Sequence, residues 1–314
     1  MTPVKLAIVI PCYNEEEVIH ETTHRLTILM QRLINESLIS DKSYVLYIDD
    51  GSRDKTWHLI SEIHKHNPQF KGLKLSRNFG HQNALLAGLH HIEDYEVSIS
   101  IDADLQDDLE AIPKMIEKYN EGNEIVYGVR DDRTTDTFFK RESALFFYKL
   151  MEKMGVESVY NHADYRLISH KALQEFKQLK ESNLYLRGMI PLIGFKSDNV
   201  YYKRGERFAG SSKYNLKKML AFAWNGISSL SIKPLRFVTF CGFSVFILTL
   251  LLTLYTLISY FVKDTVAGWA STVIPIYFLG GVQLLCIGLL GEYIAKIYSE
   301  IKQRPRFIIE QYLN

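Results

Sequence analysis

Two carboxylates two residues apart, Asp102 and Asp104, close an apolar run at 97–101 and lead into Leu105 and Gln106. As a chain leaves a strand, such a pair can point into one cleft. Hard oxygen ligands of this kind suit Mg2+ or Mn2+, which keep waters and take up a diphosphate. A nucleoside diphosphate gains charge as it departs, so a nucleotide-activated substrate needs that help. On its own the triplet reads equally well as a solvated loop with aspartates capping the helix near Leu109. Three more polar clusters follow apolar runs: Pro11-Cys12-Tyr13-Asn14-Glu15-Glu16, Asp49-Asp50-Gly51-Ser52-Arg53-Asp54 and Ser76-Arg77-Asn78-Phe79-Gly80.

Elements able to hold these clusters alternate regularly. Apolar, β-branched runs predict strands at 5–10, 44–49, 72–75, 97–101 and 124–128, with helices at 15–38, 54–67, 81–91 and 109–119 between them. Such alternation predicts an α/β fold, a mainly parallel sheet with helices on both faces. Ligands bind such sheets at the carboxyl ends of the strands, where all four polar clusters fall. Two other patterns carry less. His20 and His24 have zinc-protease spacing, yet with Thr27 and Gln31 they form one polar stripe opposite Ile19, Leu26, Met30 and Leu33, so a solvated helix face explains them. The run 205–212 imitates a phosphate loop but has no lysine directly after Gly210.

Composition divides the chain. Lys and Arg total 37 against 36 Asp and Glu, a net charge of +1, so no overall field attracts nucleic acid and none is expected as a partner. The three cysteines have no disulfide or zinc spacing. No signal peptide is evident. Beyond Lys233 come two long apolar blocks, 235–262 and 270–294, each sufficient for the roughly 20 residues of a membrane span. Buried core helices are the weaker alternative. Lysines and arginines flank the outer ends, while the connector carries Lys263 and Asp264, so both termini are expected in the cytoplasm. Upstream, Leu216, Met219, Leu220, Ala223, Ile227 and Leu230 recur at helical spacing behind Lys213, Lys217 and Lys218. They predict an amphipathic helix in the membrane interface, or else a surface helix packed on the soluble part.

Taken together, the motifs resemble family-2 glycosyltransferases of GT-A (Rossmann-like) fold. Asp164-Tyr165-Arg166-Leu167 and Gly210-Ser211-Ser212-Lys213-Tyr214 narrow the likeness to polyprenyl-phosphate glycosyltransferases of the bactoprenol and dolichol-phosphate type, over essentially the whole chain. The resemblance implies metal-dependent, inverting transfer of one hexose-type sugar from a nucleotide sugar to polyprenyl (undecaprenyl) phosphate. UDP-glucose or a UDP-N-acetylhexosamine is the favoured donor, with guanosine donors also known in the family. Pro11, Tyr13, Glu15, Asp50 and Asp102 match nucleotide-binding positions, with Asp50 suited to accept the uracil N3–H. Asp102, Asp104 and Gln106 match the positions for Mg2+ or Mn2+ and the diphosphate. Arg130, Arg141, Arg166 and Lys213, with Arg207 as an addition, match cations that grip the acceptor phosphate, a task suited to the guanidinium fork. Asp164 matches the family's catalytic base, beside Asp104. A phosphate monoester with a second pKa of about 6 is already an oxyanion, so Asp164 could instead orient the sugar or an arginine.

Two departures stand out: Asn161-His162-Ala163 where the family often has Asp-x-Gly, and Asp108-Leu109 in place of Pro-Pro. A processive synthase would bring Gln-x-x-Arg-Trp and more spans. A non-catalytic scaffold would not need Asp102, Asp104 and Gln106 intact. The expected organisation is a cytoplasmic catalytic domain at 1–211, an interfacial helix at 212–233, two membrane helices at 234–296 and a cytoplasmic tail at 297–314. That makes a multi-pass protein of the inner or plasma membrane, with a nucleotide sugar, a polyprenyl phosphate and the bilayer as partners. A homo-oligomer is left open.

Overall fold

Strands buried on both faces are apolar without alternation, and the centre of this sheet follows that rule. The computed structural model describes residues 3–131, 162–179, 186–203, 205 and 269–314, with isolated positions between 235 and 254. β1 (Leu6–Cys12) and β2 (Tyr44–Asp49) are buried along their whole length. They are followed by β3 (Phe70–Leu75), β4 (Val97–Ser100), β5 (Ile125–Arg130), β6 (His162–Ser169), β7 (Ser197–Tyr202) and β8 (Ile309–Leu313). The spatial order is β7-β5-β6-β4-β1-β2-β3-β8.

Helices cover both faces. α1 (Ile19–Asn35), α2 (Thr56–His66) and α4 (Ala111–Asn120) bury Leu26, Ile60 and Met115 in one apolar layer. α3 (His81–His91), α5 (His170–Lys177) and α6 (Leu186–Met189) bury Leu86, Phe176 and Met189 in the other. α3 lies close to the sheet because of Gly88, where a Cβ would stand 2.5 Å from Val9 and 2.6 Å from Ile48. The last helix, α7, runs from Trp269 to Lys302.

The sheet is mainly parallel, as expected: β6, antiparallel to β4 and β5, and β8, antiparallel to β3, run against the other six described strands. Two expectations are corrected. α1 begins at Ile19 and not at Glu15, because the Glu15 and Glu16 N–H groups donate to Thr56 Oγ1 and Asp54 Oδ2 and hold an irregular turn. Segment 297–314 is no tail: it continues α7 and then joins the catalytic sheet as β8.

Counting described residues only, no helix is long and apolar enough to cross a membrane. Block 235–262 lies mostly outside the described residues. Block 270–294 falls within α7, several of whose side chains are likewise outside them. The helix expected at 216–230 lies wholly outside.

Candidate active site

The loops after β1, β2 and β3 are stitched together by short polar side chains. Asn14 takes a left-handed conformation (φ 54°), donates its N–H to Ser52 Oγ at 2.9 Å and accepts the Arg53 N–H on Oδ1. Asp50 accepts the N–H groups of Phe79 at 2.7 Å and Gly80 at 2.9 Å, which fixes the β3–α3 turn. Gly51 (φ 64°) lets the loops meet, since a Cβ there would lie 2.4 Å from the Arg77 carbonyl carbon. Both oxygens of Asp50 are thus engaged. Burial raises its carboxyl pKa despite the two N–H groups. The neighbouring Asp49 is fully buried, and its Oδ2 has no hydrogen-bond partner among the described residues. Pro11 is buried beneath this rim, whereas Tyr13 stands exposed on it beside the partly buried Glu15.

The Asp102–Asp107 loop leaves β4 under strain. Leu105 has φ 57°, a conformation that costs a non-glycine residue on the order of 1–3 kcal/mol and clusters at functional sites. The turn is held by Gln106 N–H donating to Asp104 Oδ1 and by Gly205 N–H donating to the Gln106 carbonyl at 2.9 Å. Asp107, buried, accepts the Tyr202 hydroxyl at 2.5 Å and lies 3.5 Å from Arg130 Nη2. Arg130 also donates from Nε to the Tyr202 hydroxyl. The guanidinium expected for the acceptor phosphate is therefore at the carboxylate loop, anchored on its inner side.

Asp164, on β6, is the hub. Arg166 Nη2 donates to its Oδ1, Arg187 approaches both oxygens at 3.3 Å, and His81 Nε2 is 3.5 Å from Oδ2. His81 also stands 3.6 Å from Asp102 Oδ1, which links the two acidic positions. Burial alone would raise the Asp164 carboxyl, but Arg187, His81 and Arg166 hold it well below the usual carboxylate range. Burial would lower His81, yet its hydrogen bond to Asp164 and the charges of Asp102 and Asp164 push it up to about 9. Asp102 moves the other way. Burial and the repulsion of Asp107, Asp164 and Asp104 raise it to about 6, against the pull of His81.

Arg166 is 1% exposed, so it does not line an open cleft as expected; it compensates Asp164 from beneath. Arg141, Lys213 and Arg207 lie outside the described residues. His81, Arg187, Asp107 and Tyr202 were not anticipated. His81 had a usable signal, since it directly follows the Ser76–Gly80 cluster; Arg187, set among apolar neighbours, had none.

Among the described residues no group of three metal-ligating side chains gathers. A Mg2+ or Mn2+ ion that arrives with a diphosphate needs only one or two carboxylates, the remainder being waters and phosphate oxygens. Burial first, and then the repulsion of its carboxylate neighbours, raises Asp102, and a cation would relieve that repulsion. The donor set fits a substrate-borne ion.

The model of glycosyl transferase family 2 matches residues 7–177, and that of the GtrB C-terminal hairpin matches residues 233–297. Glycosyltransferase YkoT of Bacillus subtilis (strain 168) is 54% identical over 97% of this chain and 91% of its own. The bactoprenol glucosyl transferase of Shigella phage SfII is 39% identical over 98% of each chain. Among solved structures, the Pyrobaculum calidifontis mannosyltransferase PcManGT, in complex with GDP-Man and Mn2+, has a TM-score of 0.50 at 14% identity, covering 74% of this chain and 65% of that one. At that identity the likeness concerns the fold.

Proposed function

The chain is a glycosyltransferase and belongs to glycosyltransferase family 2, and from that premise we propose that it transfers one hexose to polyprenyl phosphate. The donor is UDP-glucose or a UDP-N-acetylhexosamine, the acceptor undecaprenyl phosphate at the cytoplasmic membrane face, and the product a lipid-linked sugar for later envelope glycosylation. The carrying observation is the meeting of Asp102, His81 and Asp164 at the carboxyl ends of the strands, in a chain 39% identical to a bactoprenol glucosyl transferase throughout.

An acceptor phosphate oxygen attacks the anomeric carbon as the bond to the diphosphate breaks, with inversion. No proton has to move, because the monoester is already ionised. Asp164, bound by two arginines and His81, is a weak base and acts by orienting those cations towards the reacting groups. Asp50 braces the turn beside the nucleotide and is not free to read the base alone. Tyr13 and Glu15 form the rest of the nucleotide rim, with Pro11 buried beneath it. Arg130, Arg141 and Lys213 receive the acceptor phosphate. Asp102 and Asp104, with Gln106 fixing their turn, would hold Mg2+ or Mn2+, which supplies charge neutralisation of the leaving diphosphate.

We read the chain as a catalytic domain at 1–211 that β8 completes, an interfacial helix at 212–233 and two membrane helices within 234–296, with both termini cytoplasmic. The hairpin match at 233–297, the length of α7 and the flanking cations support this. Membranes containing the protein, supplied with labelled UDP-sugars and undecaprenyl phosphate, should form a solvent-extractable labelled lipid of inverted anomeric configuration. A tag at Asp264 should be reachable only from outside. Label appearing solely as free sugar, or a protected tag, would refute the respective part.

A further inference from the structure

The end of α7 meets the catalytic domain at a cavity of about 550 Å3 whose walls include none of the side chains assigned above to the nucleotide, the metal or the acceptor. The β3–α3 turn lines it on one side with Arg77, and Lys302, Arg304 and Arg306 line it on the other. No aspartate or glutamate is among its walls. Gln303 (φ 46°) creates the arrangement: its left-handed conformation ends the helix and turns Arg304–Arg306 back over the domain. Arg77 stacks on Phe79 at 4.0 Å and Lys302 on Tyr298 at 4.2 Å, contacts that spread the side chains over aromatic faces. Arg77 spends one donor, from Nη1, on the Asn78 carbonyl at 3.1 Å, and a guanidinium carries five. Among the described residues no carboxylate lies within ion-pair distance of Arg77, Lys302 or Arg304.

Two further features identify the anion. Ile294, Ile297 and Ile301 form an apolar stripe along the same end of α7, 63%, 57% and 74% exposed. A cationic cavity beside exposed isoleucines matches a molecule that joins a phosphate to hydrocarbon. The position agrees: Lys302 is eight residues beyond Ile294, about 12 Å along a helix, which is headgroup depth if the apolar block of α7 lies in the bilayer.

We propose that this cavity binds the phosphate of an anionic membrane lipid and seats the catalytic domain against the bilayer. It is separate from the acceptor site, since Arg77 lies in the turn just after β3 and Arg130 ends β5, and those strands are five spacings or about 24 Å apart across the sheet. The proposal rests on the membrane reading of α7, and the test separates the two.

Full-length protein in neutral detergent is titrated with short-chain phosphatidylglycerol and followed by native mass spectrometry, with short-chain phosphatidylcholine and inorganic phosphate in parallel. Phosphatidylglycerol should bind saturably. The Lys302→Gln/Arg304→Gln variant, whose positions are exposed and outside the catalytic groups, should bind it about tenfold more weakly or worse. Phosphatidylcholine should bind weakly, and inorganic phosphate at equal concentration should not displace the lipid. Equal binding by the variant, or equal binding of the zwitterionic lipid, overturns the proposal. Full displacement by inorganic phosphate reassigns the cavity to a soluble anion and also overturns it. Carbonate extraction of cell membranes provides the control. Release of the wild-type protein refutes the membrane reading itself, whereas retention of wild type and variant alike leaves that reading intact and makes the titration decisive for the site.

Discussion

Arg187, on the short helix after the acidic strand, presents two nitrogens to the two carboxylate oxygens of Asp164, each at 3.3 Å. The pair is part of a charge cluster in which Arg166 is enclosed beneath and His81 stands at the rim. Removing one member of a buried pair leaves the other uncompensated, at a typical cost of about 3–5 kcal/mol. Asp164→Asn should therefore lower thermal stability strongly as well as activity. Arg187→Ala should cost far less stability, since Arg166 still compensates Asp164, while slowing transfer by about tenfold or more. Denaturation midpoints set beside single-turnover rates test this. A fully stable Asp164→Asn enzyme would contradict the enclosed role of Arg166.

Asp104 belongs to the opposite category. It is only partly buried on a loop, so Asp104→Asn should keep the circular dichroism spectrum and melting temperature while transfer is lost. Chelator should abolish wild-type transfer, with restoration by Mg2+ or Mn2+. Unchanged turnover in excess chelator rules out the role given to this loop.

Asp50 offers a separate handle on the donor. Its two charge-assisted hydrogen bonds hold Phe79 and Gly80, and such bonds contribute about 1.5–3 kcal/mol each. Asp50→Ala should release the β3–α3 turn, weaken UDP binding in calorimetry by at least about tenfold, and leave the apparent affinity for the lipid acceptor nearly unchanged. Equal loss for both substrates would mean that the turn supports the entire cleft.

The first five strands and first four helices are legible in the sequence because their signals are local: apolar runs for strands covered on both faces, and helical spacing in Leu26, Met30 and Leu33. β6 carries no strand signal in the sequence, because Asp164 and Arg166 interrupt its apolar character and are tolerated by pairing with each other and with Arg187 and His81. β8 was missed for a related reason. Ile309–Leu313 is short, and its partner β3 precedes it by more than 200 residues, so nothing nearby marks it. At the site, acidic positions at strand ends could be read from motif spacing. Of the cations around Asp164, His81 and Arg187 come from other segments, and the depth that hides the neighbouring Arg166 is a property of the packed sheet alone.

His90 gives a pH signature remote from catalysis. Burial, reinforced by the charges of Lys177 and Arg306, lowers its pKa to about 4. An unfolded histidine titrates near 6.5, so between about 6.5 and 4 the unfolded chain holds the extra proton. Stability therefore falls as pH drops through that window and is unaffected above it. Because the ring is only partly buried, the loss should be on the order of 1–2 kcal/mol, not the full linkage value. Melting temperatures from pH 7.5 to 4.5 should decline more steeply for wild type than for His90→Gln. Parallel curves would exclude His90 as the source.

Because β8 lies beyond α7, the order of synthesis constrains assembly. The outer edge of β3 stays open until Ile309–Leu313 arrive, and those follow both apolar blocks out of the ribosome. An open strand edge invites pairing with other chains. If the blocks enter the bilayer as they emerge, the sheet is completed only on a chain that has already been inserted.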